Sequence, residues 1–125
     1  MREIKFRAWE VQTKRMLDWN YFMNISTDYL FGRNGNSIMI PMQYTGIKDK
    51  NGKEVYEGDI VDYEDTHNID DSGIQVIGWD SENAGFGRRY LGEQEFDATC
   101  FSEVVTNFEV IGNIYENQEL LNNNE

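Results

Sequence analysis

The chain has one cysteine, one proline and one histidine among its 125 residues. A lone thiol excludes an internal disulfide framework and fits a reducing compartment. A lone histidine leaves no paired-imidazole zinc pattern, and no apolar run approaches the roughly 20 residues that a bilayer-spanning helix needs. The opening Met1-Arg2-Glu3-Ile4-Lys5-Phe6-Arg7 alternates charge with apolar residues and contains no apolar core of a signal peptide, so a cytoplasmic protein is expected. Positive charge is also scarce: 11 Lys and Arg face 23 Asp and Glu, a formal net charge of −12.

What basic charge there is gathers at the start. Residues 1–15 hold Arg2, Lys5, Arg7, Lys14 and Arg15 against Glu3 and Glu10, a net of +3. Residues 62–125 hold 15 acids against Arg88 and Arg89 alone, a net of −13. Phosphate backbones are bound by neutralising them with Lys and Arg, so most of this surface repels nucleic acid. The basic ribbon reads first as a solvated strand face that balances an acidic body, and nucleic acid is not the expected partner.

Seventeen aromatic residues (7 Phe, 3 Trp, 7 Tyr) supply large core pieces, and a disordered chain would be poor in them. Ile4, Phe6 and Ala8 alternate with Lys5, Arg7 and Trp9, the period of a strand, and Arg15 to Trp19 reads as its partner after a polar turn. Asn20 to Asn36 is ambiguous. Ser37 to Ile40 is a third strand, which Pro41 ends or places on a sheet edge. Tyr44 to Val61 predicts a hairpin leading into another strand. Asn51-Gly52 offers the two positions tolerant of φ > 0 that a two-residue turn requires, and Gly58-Asp59 offers a bend with an Asx-type bond. Further strands are expected at Ile60 to Tyr63, Ile74 to Trp79 and Phe108 to Tyr115, the last with a bulge at Gly112, and weaker ones at Arg88 to Leu91 and Phe96 to Phe101. Glu64 to Gly73 and Asp80 to Gly87 read as loops, and Asn117 to Leu121 as one helical turn. Strand signals 8–14 residues apart with little helical periodicity predict a mostly-β barrel or sandwich.

Three blocks carry a family likeness: Arg2-Glu3-Ile4-Lys5-Phe6-Arg7-Ala8-Trp9, the run from Gln43-Tyr44-Thr45-Gly46 to Glu57-Gly58-Asp59-Ile60-Val61, and Val110-Ile111-Gly112-Asn113-Ile114-Tyr115-Glu116-Asn117. In that order they resemble the signature blocks of the YopX-like proteins, small proteins of phages and prophages in Gram-positive bacteria. Glu10 stands where Asp is expected after the Trp, and Gln118 where Pro is common. The resemblance implies an N-terminal β segment (residues 1–42), an SH3-like β-barrel (residues 43–121) with a short C-terminal helical turn, and a polar tail (residues 122–125), together one compact unit. It implies expression in the cytoplasm of a bacterial host and supplies no activity.

The residues themselves offer little chemistry. His67 lies near Glu64, Asp65, Asp70 and Asp71, but the spacing matches no EF-hand or zinc pattern and reads as a solvated loop. Cys100 with His67 would make a nucleophile–base pair, yet Ala98-Thr99-Cys100-Phe101 is ordinary strand text, and free cysteine is usually buried. Carboxylate pairs such as Glu93 and Glu95 have no specificity in so acidic a chain. Gly85-x-Gly87 lacks the lysine and the helix of a phosphate loop and reads as a turn. No catalytic, metal or cofactor residue is therefore assigned. Tyr44, Gly46, Asn51, Gly52, Tyr56, Gly58 and Asp59 are assigned to architecture, and Lys5, Arg7, Trp9 and Trp79 are the candidate contact residues. Of the aromatics, which include Trp19, Tyr21, Phe22 and Phe86, most are expected in the core, and two or three outward rings would suffice for an interface. The expected activity is protein–protein contact, with a partner or a second copy through the N-terminal ribbon. The alternative is a nucleic-acid role: phosphate contact by Lys5, Arg7, Lys14 and Arg15, or DNA mimicry by the acidic body.

Overall fold

The computed structural model describes residues 3–24, 38–64, 72–98 and 107–122. His67 and Cys100 lie outside the described residues. The elements are β1 (Phe6–Glu10), β2 (Arg15–Leu17), α1 (Trp19–Met23), β3 (Met39–Lys48), β4 (Glu54–Tyr56), β5 (Asp59–Tyr63), β6 (Gly73–Asp80), β7 (Gly85–Tyr90), β8 (Phe108–Asn113) and a 3-10 helix (Gln118–Asn122). The chain is mostly β, as its alternation predicts. Among the described residues no helix is long and apolar enough to cross a membrane. The hydrogen-bonded strand orders are β2-β1-β3-β4 and β7-β6-β5-β8. Two compact units divide the chain at 44/45, within β3.

In the first unit β1 is the central strand, antiparallel to β2 (Ala8↔Leu17, Trp9↔Met16) and to the start of β3 (Ala8↔Pro41, Trp9↔Ile40). Of the two expectations for Pro41, it does not end the strand; among the described residues only β1 pairs with this part of β3, the edge position at which a missing N–H is tolerated. Ala8, Leu17 and Met39 form the core, with Phe22 packed against them. Phe22 comes from α1, in the stretch whose sequence was ambiguous. Asp18 caps this helix by accepting from the Tyr21 amide at 3.0 Å. The rings of Phe6, Trp19 and Phe22 then lie 5.5–6.1 Å apart. At the β1–β2 turn the Glu10 carboxylate is buried and takes the Arg15 Nη2 at 2.8 Å and the Thr13 hydroxyl. The hydrogen bond to Glu10 raises the Arg15 pKa, so this cation stays charged and paired.

The second unit is built on the antiparallel meander β5-β6-β7, with β8 on the far side of β5. Its core is Val55, Val61, Tyr63, Ile77 and Phe108, flanked by Ile47, Phe86 and Val110. Burying a ring such as Phe108 contributes about 1.5–3 kcal/mol, so this cluster is the main source of the unit's stability. The bulge expected at Gly112 is present: Ile60 pairs with Gly112 and Val61 with Val110, which leaves Ile111 as the extra residue.

The Asn51-Gly52 turn differs from the two-residue form. Asp49 and Lys53 close a three-residue loop, the Gly52 amide donates to the Asp49 carbonyl at 3.0 Å, and Gly52, not Asn51, takes the left-handed backbone (φ 84°). The deciding residue is Asp49, whose buried carboxylate accepts from the amides of Asn51 and Lys53 and, 61 positions on, of Val110, each at 2.9 Å. Burial alone would raise its pKa, but the three amides outweigh this and hold it below the ordinary value.

Candidate functional site

The second unit carries an open cleft of about 820 Å³ between the end of β6, the β6–β7 turn and the chain that returns after β7. Its construction starts at Asp80, the last residue of β6 and itself buried. One carboxylate oxygen accepts from the amides of Glu82 and Asn83 at 3.0 and 3.2 Å; the other takes the Asn83 side-chain amide at 2.7 Å and the Ala98 amide at 3.0 Å. The Asn83 side chain, followed by the Ala98 amide, pulls the Asp80 pKa below its usual value. One anion thus fixes both the hairpin turn and the returning segment.

That segment turns back at residues 90–93. Gly92 takes φ 93°, the Glu93 amide donates to the Tyr90 carbonyl at 3.1 Å, and the Glu93 carboxylate accepts from the Tyr90 amide at 2.9 Å. Arg88 and Asp97 then exchange two backbone hydrogen bonds (3.1 and 2.9 Å), which places 96–98 beside β7. Gly85 and Gly87 are therefore not a turn, the sequence reading, but strand residues, and at Gly87 the missing side chain permits this approach. A Cβ on Gly87 would stand 2.5 Å from the Asp97 backbone, and one on Gly78 would collide with the Phe96 ring. The Arg89 guanidinium lies over that ring, 5.3 Å from its centroid.

Trp79 stands at the cleft and is 46 % exposed. Its cross-strand partner Phe86 meets it edge-to-face at 5.2 Å, so the indole is braced from the core side while remaining open to solvent. The lining includes five acids (Asp80, Glu82, Glu93, Glu95 and Asp97) and one cation, Arg88. The Arg88 guanidinium lies 5.1 Å from the Tyr63 ring centroid, and among the described residues its buried Nη1 has no hydrogen-bond partner. Asp80 is consumed by its amides and Glu93 by the Tyr90 turn. Both keep their negative charge while bonding these amides, and the exposed Glu82 and Glu95 add theirs to the recess. Among the described residues no group of three or more His, Cys, Asp and Glu is arranged to hold a metal ion.

The candidate contact residues are not gathered in one place. Trp9 is 9 % exposed and belongs to the interior of the first unit. Lys5 lies 3.6 Å from Glu3 and over the buried Tyr44 ring, 5.1 Å from its centroid. Arg7 is half-buried, its Nε enclosed. Trp79, in the second unit, is the exposed member of the four. In the architectural set the Tyr44 amide donates to the Lys5 carbonyl at 2.9 Å, and beside it the Thr45 hydroxyl, which the set did not include, donates to the Val55 carbonyl at 2.8 Å. Tyr56 is fixed through its amide, which donates to Asp59 Oδ2 at 2.8 Å, and Gly58 (φ 86°) donates to the Ile77 carbonyl at 2.8 Å. Reading the residues alone missed Asp49 and Asp80. Each is an Asp at a strand end before a turn, a visible pattern, but the distant amides they bind are not visible in it.

Fold and cleft together define a small mostly-β protein of two units, the second with an acidic, tryptophan-marked recess. The family model described as YopX protein matches residues 5–122, and the chain belongs to that family. It is similar to the crystal structure of protein EF1440 from Enterococcus faecalis, at 30% identity and a TM-score of 0.62, over 97% of this chain and 99% of that one. Among curated proteins, none matches significantly.

Proposed function

We propose that the protein is a phage or prophage accessory protein of the host cytoplasm that acts without catalysis, by protein–protein contact. The observation that carries this reading is Trp79: a braced indole, 46 % exposed beside an open cleft, where Trp9 is buried. Exposed tryptophans on rigid elements are the residue type most enriched at the energetic centres of interfaces. The SH3-like character of residues 43–121 belongs to the same proposal, supported by the order β7-β6-β5-β8. Affinity capture from cells carrying the phage, with the wild type and Trp79→Ala side by side, tests it. A partner, or a second copy, retained by the wild type and lost by the variant is expected; identical captures would remove the reading.

A nucleic-acid role is the second reading, and the charge of residues 62–125 favours its mimicry form. Phosphate contact by the ribbon has less support, because Glu10 already neutralises Arg15 and Glu3 lies beside Lys5. Capture of a host DNA-binding protein that DNA competes away would establish mimicry.

A further inference from the structure

We infer that the cleft receives an extended, basic segment of a partner protein, with one Arg or Lys side chain laid against Trp79 and its charge met by Glu82 and Glu95. The inference rests on the protein-contact reading and adds the chemistry of the partner. Three features select this occupant. The indole is available: it is braced edge-on by Phe86 at 5.2 Å and open over 46 % of its surface, as a cation–π platform must be. The carboxylates beside it are unspent. Asp80 and Glu93 bind the protein's own amides, whereas Glu82 and Glu95 are exposed and, among the described residues, make no side-chain hydrogen bond or ion pair. Finally, the lining sets five acids against one cation, Arg88, whose guanidinium lies over the Tyr63 ring, so the recess keeps a negative balance even with Arg89 over the neighbouring Phe96.

An acidic or nucleic-acid ligand would meet like charge here. A purely apolar peptide would leave Glu82 and Glu95 to be desolvated without compensation, which costs more than the indole contact returns. A volume of about 820 Å³ is enough for a few residues of extended chain. The recess is open along one side, as a segment within a longer polypeptide requires.

The test uses the full chain and, as probe, an octapeptide of alternating Arg and Ala, with alternating Glu and Ala as control, titrated by two-dimensional NMR at low salt. Three indole N–H signals are available, from Trp9, Trp19 and Trp79. The Trp79 signal is expected to move with the Arg peptide while those of Trp9 and Trp19 stay in place, and the Glu peptide should move none. Trp79→Ala should weaken binding at least fivefold and Glu95→Gln about threefold. Glu119→Gln, which removes the same charge from the exposed 3-10 helix, should leave it unchanged. Glu95 lies outside the strands, so its variant tests the site even if Trp79→Ala perturbs folding. Equal losses from Glu95→Gln and Glu119→Gln, or binding that leaves the Trp79 signal in place, would reduce the effect to bulk charge and overturn the inference. No binding of the Arg peptide would also overturn it, while the capture experiment would still decide protein contact independently.

Discussion

Replacing Gln75 with Met should make the protein more stable. Gln75 lies in the middle of β6, paired with Val61 on one side and Tyr90 on the other. It is 0% exposed, and among the described residues neither its amide nitrogen nor its oxygen has a hydrogen-bond partner. Each buried, unsatisfied polar group costs about 1–3 kcal/mol relative to its hydrated state. Methionine keeps the unbranched shape and removes both groups; imperfect packing returns up to about 1.5 kcal/mol. The expected net gain is about 1–3 kcal/mol, and each kcal/mol raises Tm by roughly 4–8 °C in a unit of this size. Urea unfolding followed by circular dichroism measures it, with an unchanged m-value showing that the compactness of both states is preserved. Gln75→Leu controls for side-chain shape. If both variants leave the midpoint in place or lower it, the amide is satisfied in solution and the cost assigned to it is wrong.

Gly87→Ala should destabilise by about 1–3 kcal/mol and raise hydrogen exchange at the Asp97 amide, because the new methyl would meet backbone that cannot rotate aside. Asp49→Asn should cost about 1–3 kcal/mol in a urea titration: the oxygen that served the amides of Asn51 and Lys53 is kept, but an NH₂ would then face the Val110 N–H. Stability should hold at neutral pH and fall with acid. Asp49 and Asp80 have folded pKa values below the ordinary 3.8, so their contribution is complete above about pH 4 and is lost as pH drops through the lower folded values. Urea midpoints that rise between pH 4 and pH 2 would refute this assignment.

Where alternation along the chain matched alternation across a sheet, the strands were legible, as in β1, β5, β6 and β8. The bulge at Gly112 and the closing helical turn were legible because their causes are local. The helix α1 was not: five residues carry no period, and its one local sign was Asp18 before Trp19 and Phe22. The glycines of β7 were misread for a physical reason. Glycine marks either a backbone that needs positive φ or a surface that needs no side chain, and sequence does not distinguish these. At Gly85 and Gly87 the spacing of two puts both on one sheet face, where 97–98 lies against them. The cleft was illegible for a related reason. Trp79 and Glu95 come to line one cleft through the 90–93 turn and the Asp80–Ala98 bond, which joins residues 18 apart.

The strand edges bear on how contact is made. A basic N-terminal ribbon with open edges suggested assembly by strand pairing, yet most edges here are short or covered. β8 is capped on its outer side: its Val110 amide donates to Asp49 and its Asn113 amide to Asn117, while the Phe108 carbonyl accepts from the Lys50 amide at 3.1 Å. β7 is covered by the Arg88–Asp97 exchange and by Glu93 on the Tyr90 amide. The ends of the other strand order, β2 and β4, are three residues each, and such short edges are poor templates for another chain. A partner that relied on main-chain pairing at β7 or β8 would therefore first have to break these caps. The side-chain contact proposed for Trp79 and the carboxylates of the cleft needs no such break, which is why recognition is placed there and not at the strand edges.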